Sequence, residues 1–324
     1  MIRGLSIMRF LITGGNGFIG SHLTLRLLSL KHEVTVLDNF STSPKGRLDN
    51  TGAVVIEGSV TEESLVDKLV FNSDYVIHLA AVVGVRLAMT KGIEGLRVSC
   101  IGTDNLLKYT SKYNKKIIAA SSSSVYGKLT KVPVREDEDT LLGCSSKACW
   151  LYSTAKLAEE HFCMAYNREF GTDVKICRFF NVIGPNQTKH YGMVVPNFVT
   201  NALGNKPLQV YGTGLQTRTF GYIEDIIDGI LIVMEKGYAG EIYNIGGTEE
   251  IRIMDLANRI IKLANSRSIT EIVPFEEVFG LNYEETTQRM PDITKITVLG
   301  YSPKYSLDDS IVKVTDHIRL RGEI

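Results

Sequence analysis

The sequence has few cysteines and no excess of charge of either sign. Its five cysteines are odd in number and form no CxxC pair, which favours free thiols in a reducing compartment over a disulfide framework. Lys and Arg together number 36, as do Asp and Glu. The net charge is therefore zero, and the protein has no overall positive charge that would attract nucleic acid or an anionic membrane. We predict neither as a partner. We also predict no metal site.

Long apolar runs are missing as well. No stretch is long enough to span a bilayer, and residues Met1–Ser6 lack the apolar core of a signal peptide. These absences predict a cytoplasmic protein. With 324 residues, of which 44% are hydrophobic, the chain can bury a substantial core in one large domain with a smaller lobe, or in two domains.

The first informative segment joins a short apolar run, Arg9–Thr13, to a turn that contains Gly14, Gly17 and Gly20. Leucines then recur at helical spacing over Ser21–Leu28, so the segment predicts a buried strand, a tight turn and a helix. The glycines would let the backbone approach a pyrophosphate closely. The phosphates would meet the unpaired N–H groups and the positive dipole end of the helix.

A second apolar run, Val34–Leu37, ends in Asp38, near the distance at which a dinucleotide fold places its ribose-binding acid. A structural turn followed by a chance acid is the plainer alternative. Further runs predict strands, which alternate with helical segments, at 54–57, 75–81, 116–120, 174–180 and 241–246. Most of these runs are continuously apolar and do not alternate between polar and apolar residues. They therefore predict an α/β protein whose parallel sheet is covered on both faces.

Two polar patterns follow where a ligand would bind. The strand at 116–120 runs into Ser121–Gly127, and ligands of doubly wound sheets lie at the carboxyl ends of strands. Tyr152 and Lys156 are four residues apart, hence on one face of a helix predicted over 151–170. Taken alone, the serines favour a polar loop, and one Tyr-x-x-x-Lys means little among 14 tyrosines. Their order along the chain gives them weight.

Three local features have structural interpretations. We expect Thr61 to cap a helix whose first turn contains Glu62 and Glu63. The acidic run 136–139 predicts a solvated loop. Trp150, the single tryptophan, is expected to pack in the core.

Together these residues resemble the extended short-chain dehydrogenase/reductase proteins, specifically the NAD-dependent nucleotide-sugar epimerase/dehydratase group. The resemblance covers nearly the whole chain and rests on Thr13–Gly20, Asp38, His78–Ala81, Ser121–Gly127, Tyr152 with Lys156, Arg178–Pro185, Gln216–Arg218, Arg289–Asp292 and Leu299–Gly300. It implies a Rossmann-type doubly wound sheet with a smaller mixed α/β C-terminal substrate lobe. We assign residues 1–178 and about 213–247 to the NAD-binding domain, and about 179–212 and 248–324 to the lobe.

The resemblance also implies a set of site residues. The NAD contacts would come from Gly14, Gly17, Phe18, Ile19, Asp38, Asn39, Ser59, Val60, Leu79, Ala80, Ala81, Tyr152 and Lys156. Catalysis would use Tyr152 as the base on a sugar hydroxyl, with its pKa lowered by Lys156 and by oxidised nicotinamide. Ser122 would relay the proton, and Lys156 would also bind the nicotinamide ribose.

Substrate contacts are implied for Ser123, Asn181, Arg218 and Arg289, with the two arginines clamping a diphosphate. An ordinary surface ion pair is the alternative for each arginine. Asp38 favours NAD over NADP because it would repel a 2′-phosphate. The chain departs from the family pattern at Ser59, Ser99 and Thr219, which replace a frequent acid, asparagine and aspartate.

The expected reaction depends on Ser123 and Ser124. Dehydratases of this family carry an Asp-Glu pair there, and decarboxylating relatives usually keep the Glu before Val125. Since serine cannot act as a carboxylate acid or base, the resemblance favours a nucleotide-sugar epimerase. It would act at C4 of a UDP-sugar, through a transient 4-keto intermediate and tightly bound NAD+.

The alternatives are a 4,6-dehydratase or UDP-glucuronate decarboxylase-type enzyme, and a non-catalytic NAD-binding protein. Relatives also imply a homodimer that packs the helices near 96–113 and 151–170.

Overall fold

The computed structural model describes residues 7–129, 131–189, 192–281 and 283–322. Residues 1–6, which begin the predicted NAD-binding domain, lie outside these ranges. The strands are β1 (Arg9–Thr13), β2 (Glu33–Asp38), β3 (Val54–Glu57), β4 (Tyr75–His78), β5 (Lys116–Ser122), β6 (Val174–Phe179), β7 (Val182–Ile183), β8 (Leu208–Tyr211), β9 (Thr217–Thr219), β10 (Gly221–Tyr222), β11 (Glu241–Ile245), β12 (Glu250–Arg252), β13 (Thr270–Val273) and β14 (Gln288–Arg289).

The α-helices complete the element order. They are α1 (Phe18–Ser29), α2 (Glu63–Phe71), α3 (Val85–Thr90), α4 (Gly92–Arg97), α5 (Thr103–Lys112), α6 (Leu151–Phe170), α7 (Val194–Leu203), α8 (Ile223–Lys236), α9 (Ile253–Leu263), α10 (Phe275–Phe279), α11 (Thr294–Val298) and α12 (Leu307–Arg321). Among the described residues, none of these helices is both long and apolar enough to cross a membrane.

The centre of the fold is a seven-stranded sheet in the order β11-β6-β5-β4-β1-β2-β3, and every pair in it is parallel. The order reverses direction at β1, which is the arrangement of a doubly wound sheet. The predicted Rossmann-type fold is therefore confirmed. Polar and apolar residues do not alternate along the strands because both faces of the sheet are buried. Every residue of β4 and of β6 is buried.

Helices cover both faces of this sheet and bury one apolar cluster on each. On one face, α1 contributes Leu23 and Leu27, and α8 contributes Ile226 and Ile230. On the other, residues of α2, α5 and α6 pack against the opposite side chains of the same strands. Because α6 lies over β5 and β6, its side chains are held beside the carboxyl end of β5.

A smaller mixed α/β lobe follows beyond the carboxyl ends of the strands. It contains the parallel pair β8 and β13, the three-stranded sheet β12-β9-β14, and helices α7, α9 and α12. Its own apolar core includes Phe198, Leu256, Ile260 and Ile311. The exact boundaries given above for the two domains stay a prediction.

One local expectation is wrong and a second holds only in part. Helix α2 begins at Glu63 with Glu62 as its N-cap, and Thr61 does not cap it; the Thr61 hydroxyl lies instead 2.8 Å from that of Ser59. In the acidic run 136–139, Asp137 and Asp139 are exposed as expected, whereas Glu136 is half-buried and its Oε1 accepts a hydrogen bond of 2.8 Å from the backbone N–H of Asn244. Burial raises the pKa of the Glu136 carboxyl.

The long helix expected over 96–113 is interrupted. Helix α4 passes into a π-helical turn, Val98–Gly102, before α5 continues to Lys112. Ile93, Leu96 and Ile101 are exposed along this segment. The homodimer that would cover it stays a prediction.

Candidate active site

The carboxyl ends of the central strands open into a continuous cleft of about 1000 Å³ between the sheet and the lobe. Every residue with an implied contact lines this cleft: Gly14, Gly17, Phe18, Ile19, Asp38, Asn39, Ser59, Val60, Leu79, Ala80, Ala81, Ser122, Ser123, Tyr152, Lys156, Asn181, Arg218 and Arg289. The structure thus brings together residues that are up to 275 positions apart in the sequence (14 to 289). Their individual roles stay predictions.

The glycine turn at one end of the cleft fits a dinucleotide. Gly14 has φ +67°, and a Cβ there would lie 2.8 Å from Ala80 Cα, so the strand ends approach closely only because the side chain is missing. Helix α1 begins at Phe18, and its N-cap Gly17 makes no side-chain capping bond. Its first N–H groups can therefore meet a pyrophosphate.

Asp38 lies beside this turn at the end of β2. Its Oδ2 accepts from the N–H of Asn16 at 2.9 Å and its Oδ1 from that of Phe40 at 2.8 Å, so the carboxylate is fixed in the cleft. This is where a ribose hydroxyl would bind. Lys45 is turned to Glu57, with Nζ and Oε2 2.6 Å apart.

The motif residue His78 has a structural role behind the cleft. Its Nδ1 lies 2.7 Å from the Thr13 hydroxyl and its Nε2 3.1 Å from that of Thr103. Burial, with a smaller effect from the charge of Lys156, lowers the pKa of His78 to about 3. A neutral imidazole therefore ties β1 and β4 to α5, and it fixes the strand that carries Leu79–Ala81.

Tyr152 and Lys156 lie on one face of α6, as their spacing predicted, beside Ser122 at the end of β5. Lys156 is 3% exposed, and its ammonium donates to Ala120 O and to Glu159 Oε2, each at 2.8 Å. Ser122 Oγ accepts from the N–H of Ser124 at 3.2 Å. These contacts hold the three predicted catalytic groups at the carboxyl end of the sheet.

The pKa of Tyr152 is set by opposing effects of its surroundings. Burial, the largest effect, raises it, while Lys156, the Ser122 hydroxyl and Arg289 lower it, and the result lies above the ordinary value. The lowering effect of Lys156 was predicted correctly. The predicted net lowering also includes the charge of oxidised nicotinamide, and it stays a prediction.

At the other end of the cleft, Arg218 and Arg289 lie opposite each other on the adjacent strands β9 and β14. Arg218 Nη2 donates to Glu285 Oε1 at 2.5 Å. Arg289 Nη2 donates to Thr286 Oγ1 at 3.0 Å, and its Nε is buried with no partner among the described residues. Burial and the charge of Arg218 lower the pKa of Arg289 to about 10.

This arginine pair is more than an ordinary surface ion pair. One carboxylate faces two guanidinium groups, and within the described part of the chain no carboxylate lies within ion-pair distance of Arg289. The excess positive charge suits an anionic ligand such as a diphosphate. Asn181, next to them, donates from Nδ2 to Thr219 O at 2.8 Å.

The serines that decide the expected reaction lie between these two ends. Ser123 is buried, and the hydroxyl of Ser124 is buried without a hydrogen-bond partner among the described residues. Within the same described ranges, no cluster of three His, Cys, Asp or Glu side chains could hold a metal ion.

Some residues around the cleft had no sequence signal. Glu284 accepts hydrogen bonds from Lys147 at 2.6 Å and from Trp150 Nε1 at 2.7 Å, and forms an ion pair with Lys128 at 2.8 Å. Trp150 is buried, as predicted, but it also lines the cleft. Aromatic residues line the lobe side: Tyr211, Phe275, Phe279 and Tyr283. These residues come together from segments that are far apart in the sequence, so residue spacing within one segment cannot predict that they line the cleft.

The buried carboxylate of Glu159 was also missed. It lies three residues after Lys156 on α6. Residues three or four apart are neighbours on a helix surface, so helical periodicity could have predicted this pair as it did Tyr152 and Lys156.

The chain is similar to known proteins over nearly its whole length. The chain is 42% identical to UDP-N-acetyl-alpha-D-glucosaminuronate decarboxylase of Bacillus cytotoxicus over 96% of its own length and 98% of that protein. Among solved structures it is similar to UDP-glucose 4-epimerase of Thermotoga maritima, with a TM-score of 0.89, 28% identity and coverage of 97% and 99%. It is also similar to UDP-glucuronic acid 4-epimerase of Bacillus cereus in complex with UDP-glucuronic acid and NAD, with a TM-score of 0.86, 32% identity and coverage of 97% and 100%.

A family model agrees with these likenesses. The model of the NAD dependent epimerase/dehydratase family matches residues 10–246, which span the glycine turn, Asp38, Ser122 and the Tyr152–Lys156 pair. The cofactor is NAD, and the fit of the turn and of Asp38 to a dinucleotide agrees with it. This chain is an enzyme that belongs to the NAD dependent epimerase/dehydratase family.

Proposed function

We propose that this enzyme is an NAD-dependent decarboxylase of a UDP-hexuronate. The observation that carries the proposal is the 42% identity, over nearly the full length of both chains, with a decarboxylase that acts on a UDP-linked uronate. The Bacillus cereus epimerase, which also takes a UDP-uronate, supports the same substrate class. The epimerase favoured from the sequence becomes the second candidate.

Decarboxylation does not require the carboxylates that Ser123 and Ser124 replace. Oxidation of C4 places a ketone in the β position to the C6 carboxylate. The electrons of the breaking C5–C6 bond can then move into that ketone as CO2 departs. Because the ketone itself accepts the electrons, the step needs no protein base, and the serines do not exclude it.

The neutral serines suit a substrate carboxylate for a second reason. A cationic partner would stabilise the carboxylate before reaction and oppose its loss, since only interactions stronger in the transition state accelerate a step. Ser123 and Ser124 are buried and uncharged, and the Ser124 hydroxyl has no partner among the described residues. They can receive the C6 carboxylate through hydrogen bonds alone.

Tyr152 and Ser122 handle the proton at C4. Tyr152 removes the 4-OH proton, with the Ser122 hydroxyl as the relay, while Lys156 favours the phenolate. When bound, NAD+ supplies the acceptor for the C4 hydride and can return it. After CO2 has left, the same Tyr152 and Ser122 hydroxyls can donate to the C4 enolate oxygen until C5 takes up a proton.

The phosphate end of the substrate would be held at the opposite side of the cleft. Arg218 and Arg289 carry the positive charge that a diphosphate requires, and the buried Nε of Arg289 has no hydrogen-bond partner in the described part of the chain. Asn181 would contact the sugar between them and the catalytic residues.

Epimerisation at C4 is the second candidate. It uses the same oxidation, after which the 4-keto sugar turns over and hydride returns to its other face. The absence of a carboxylate at positions 123 and 124 favours it, as does the structural similarity to two 4-epimerases. Its product differs from that of the first candidate, because it keeps the C6 carboxylate and is inverted at C4.

The test is to incubate the purified protein separately with UDP-glucuronate, UDP-N-acetylglucosaminuronate and UDP-glucose. Products would be followed by proton NMR of the anomeric signals and by mass spectrometry. We expect at least one uronate to lose the mass of CO2 and UDP-glucose to remain unchanged. Recovery of uronates only as C4 epimers of unchanged mass would overturn the proposal in favour of the epimerase.

A further inference from the structure

A buried carboxylate accompanies the Lys156 ammonium. Glu159 is 2% exposed, and its Oε2 lies 2.8 Å from Lys156 Nζ, which also donates to Ala120 O. We propose that Glu159 is a positioning residue that fixes Lys156 against β5 and offsets its charge, so that the Tyr152 phenol keeps its proton until a positively charged nicotinamide adds to the field. The inference rests on the proposed function only in taking Tyr152 as the base.

The burial of Glu159 is costly and calls for a role. Removing two charges from water is unfavourable, and their mutual attraction often does no more than offset that cost, so apolar residues of similar size would often be as stable. Lys156 could be held by Ala120 O alone if orientation were all that mattered. A carboxylate in addition changes the electrostatic field at Tyr152, which lies about two helical turns before Glu159 on the same face of α6.

The neighbouring helix is shaped around this pair. The π-helical turn Val98–Gly102 packs against α6, and such single turns inside α-helices occur frequently at functional sites. Ser99 on this turn is 3% exposed, and its hydroxyl lowers the pKa of Glu159.

Charged and titratable groups face the pair from several elements. Besides Lys156 and Glu159 they are Glu160 and Cys163 on α6, Cys100 on the π-helical turn, His78 on β4 and, beside Tyr152, Arg289 on β14. Glu160 is paired with Arg178, the thiols have raised pKa values, and His78 is neutral. Glu159 and Arg289 are therefore the charges left to act on the Lys156–Tyr152 pair.

The signs of these effects agree with the geometry. Glu159 raises the pKa of Lys156, which keeps the ammonium charged despite its burial. It also raises the pKa of Tyr152, opposing Lys156. Removing the carboxylate charge while keeping the side-chain shape should therefore make the phenol more acidic.

The test compares Glu159→Gln with the wild-type protein. We expect the Tyr152 titration to shift to lower pH by about one unit. It would be followed as the tyrosinate absorbance that disappears in a Tyr152→Phe background, a measurement that needs no turnover. The acid limb of the kcat/KM profile should move in the same direction. Glu169→Gln, an exposed glutamate near the end of the same helix, should shift neither.

An unshifted Tyr152 titration in a folded, NAD-binding Glu159→Gln protein would overturn the proposal and leave Glu159 a purely structural role. If that variant fails to fold, Glu159→Asp moves the carboxylate away from Lys156 Nζ. It should lower the titration by a smaller amount, and an unchanged midpoint would again refute the idea. Since the absorbance readout uses no substrate, it stands even if no UDP-uronate is decarboxylated.

Discussion

Replacing Tyr152 with phenylalanine is expected to lower kcat by about 10³-fold, within the range that a positioned acid–base group contributes. The phenol oxygen is the group that faces Ser122 and the charges of Lys156 and Arg289, and phenylalanine removes only that oxygen. The ring keeps its place in the wall of the cleft, so NAD should remain bound. Single-turnover rates and the NAD content of the purified variant measure the two effects.

Tyr166→Phe is the matched control for this variant. Tyr166 lies on the same helix, and its hydroxyl donates to Asp104 Oδ1 at 2.8 Å. Its removal should leave turnover within a small factor of wild type. Activity of Tyr152→Phe close to that of Tyr166→Phe would contradict the assignment of Tyr152 as the base.

Replacing Arg178 with methionine is expected to lower the free energy of unfolding by about 3–5 kcal/mol. Arg178 donates from Nε and Nη2 to the two oxygens of Glu160 at 2.9 and 2.7 Å, and both side chains are at most 5% exposed. The variant leaves the Glu160 carboxylate buried without its cation. Ser121 also donates to Glu160, at 2.5 Å, so the change reaches the residue that precedes Ser122, the proposed proton relay. Urea denaturation gives the measurement.

Two further variants separate the contribution of the buried ion pair to stability from that of side-chain packing. Arg178→Met combined with Glu160→Leu removes both charges and should recover much of the lost stability, because no unpaired ion remains. Arg135→Met breaks the ion pair of Arg135 with Asp137, in which both side chains are more than half exposed, and should change stability little. Equal losses in Arg178→Met and Arg135→Met would show that burial of the Arg178 pair is unimportant.

The features that the sequence predicts well are those whose residues are close together along the chain. The turn from Arg9–Thr13 to the helix that follows it depends on glycine spacing, and the common face of Tyr152 and Lys156 depends on helical periodicity. Both are local, and the structure has both. The parallel sheet follows from the same strand and helix alternation.

The features that were missed depend on contacts between distant segments or on burial. Glu284 meets Lys147 and Trp150 from more than 130 residues away, and Arg218 meets Glu285 from 67. The effect of burial on the pKa of Tyr152 likewise depends on the assembled cleft. None of this can be derived from spacing within one element.

The choice between reactions has a similar cause. In the sequence, Ser123 and Ser124 stand where related enzymes carry acids and bases, and this favours epimerisation. In decarboxylation the substrate's own C4 ketone accepts the electrons, so the protein needs fewer charged groups at that point. Whether the enzyme needs a carboxylate at positions 123 and 124 therefore depends on the bound sugar, and the sequence of the protein does not specify that sugar.

The most direct test of the account is turnover of the accepted UDP-uronate in D2O, with the product examined by NMR. Loss of the C6 carboxylate leaves C5 to be protonated by solvent-derived hydrogen, so the account predicts deuterium at C5 together with release of CO2. A product that keeps its C6 carboxylate, is inverted at C4 and carries no deuterium on carbon would contradict it.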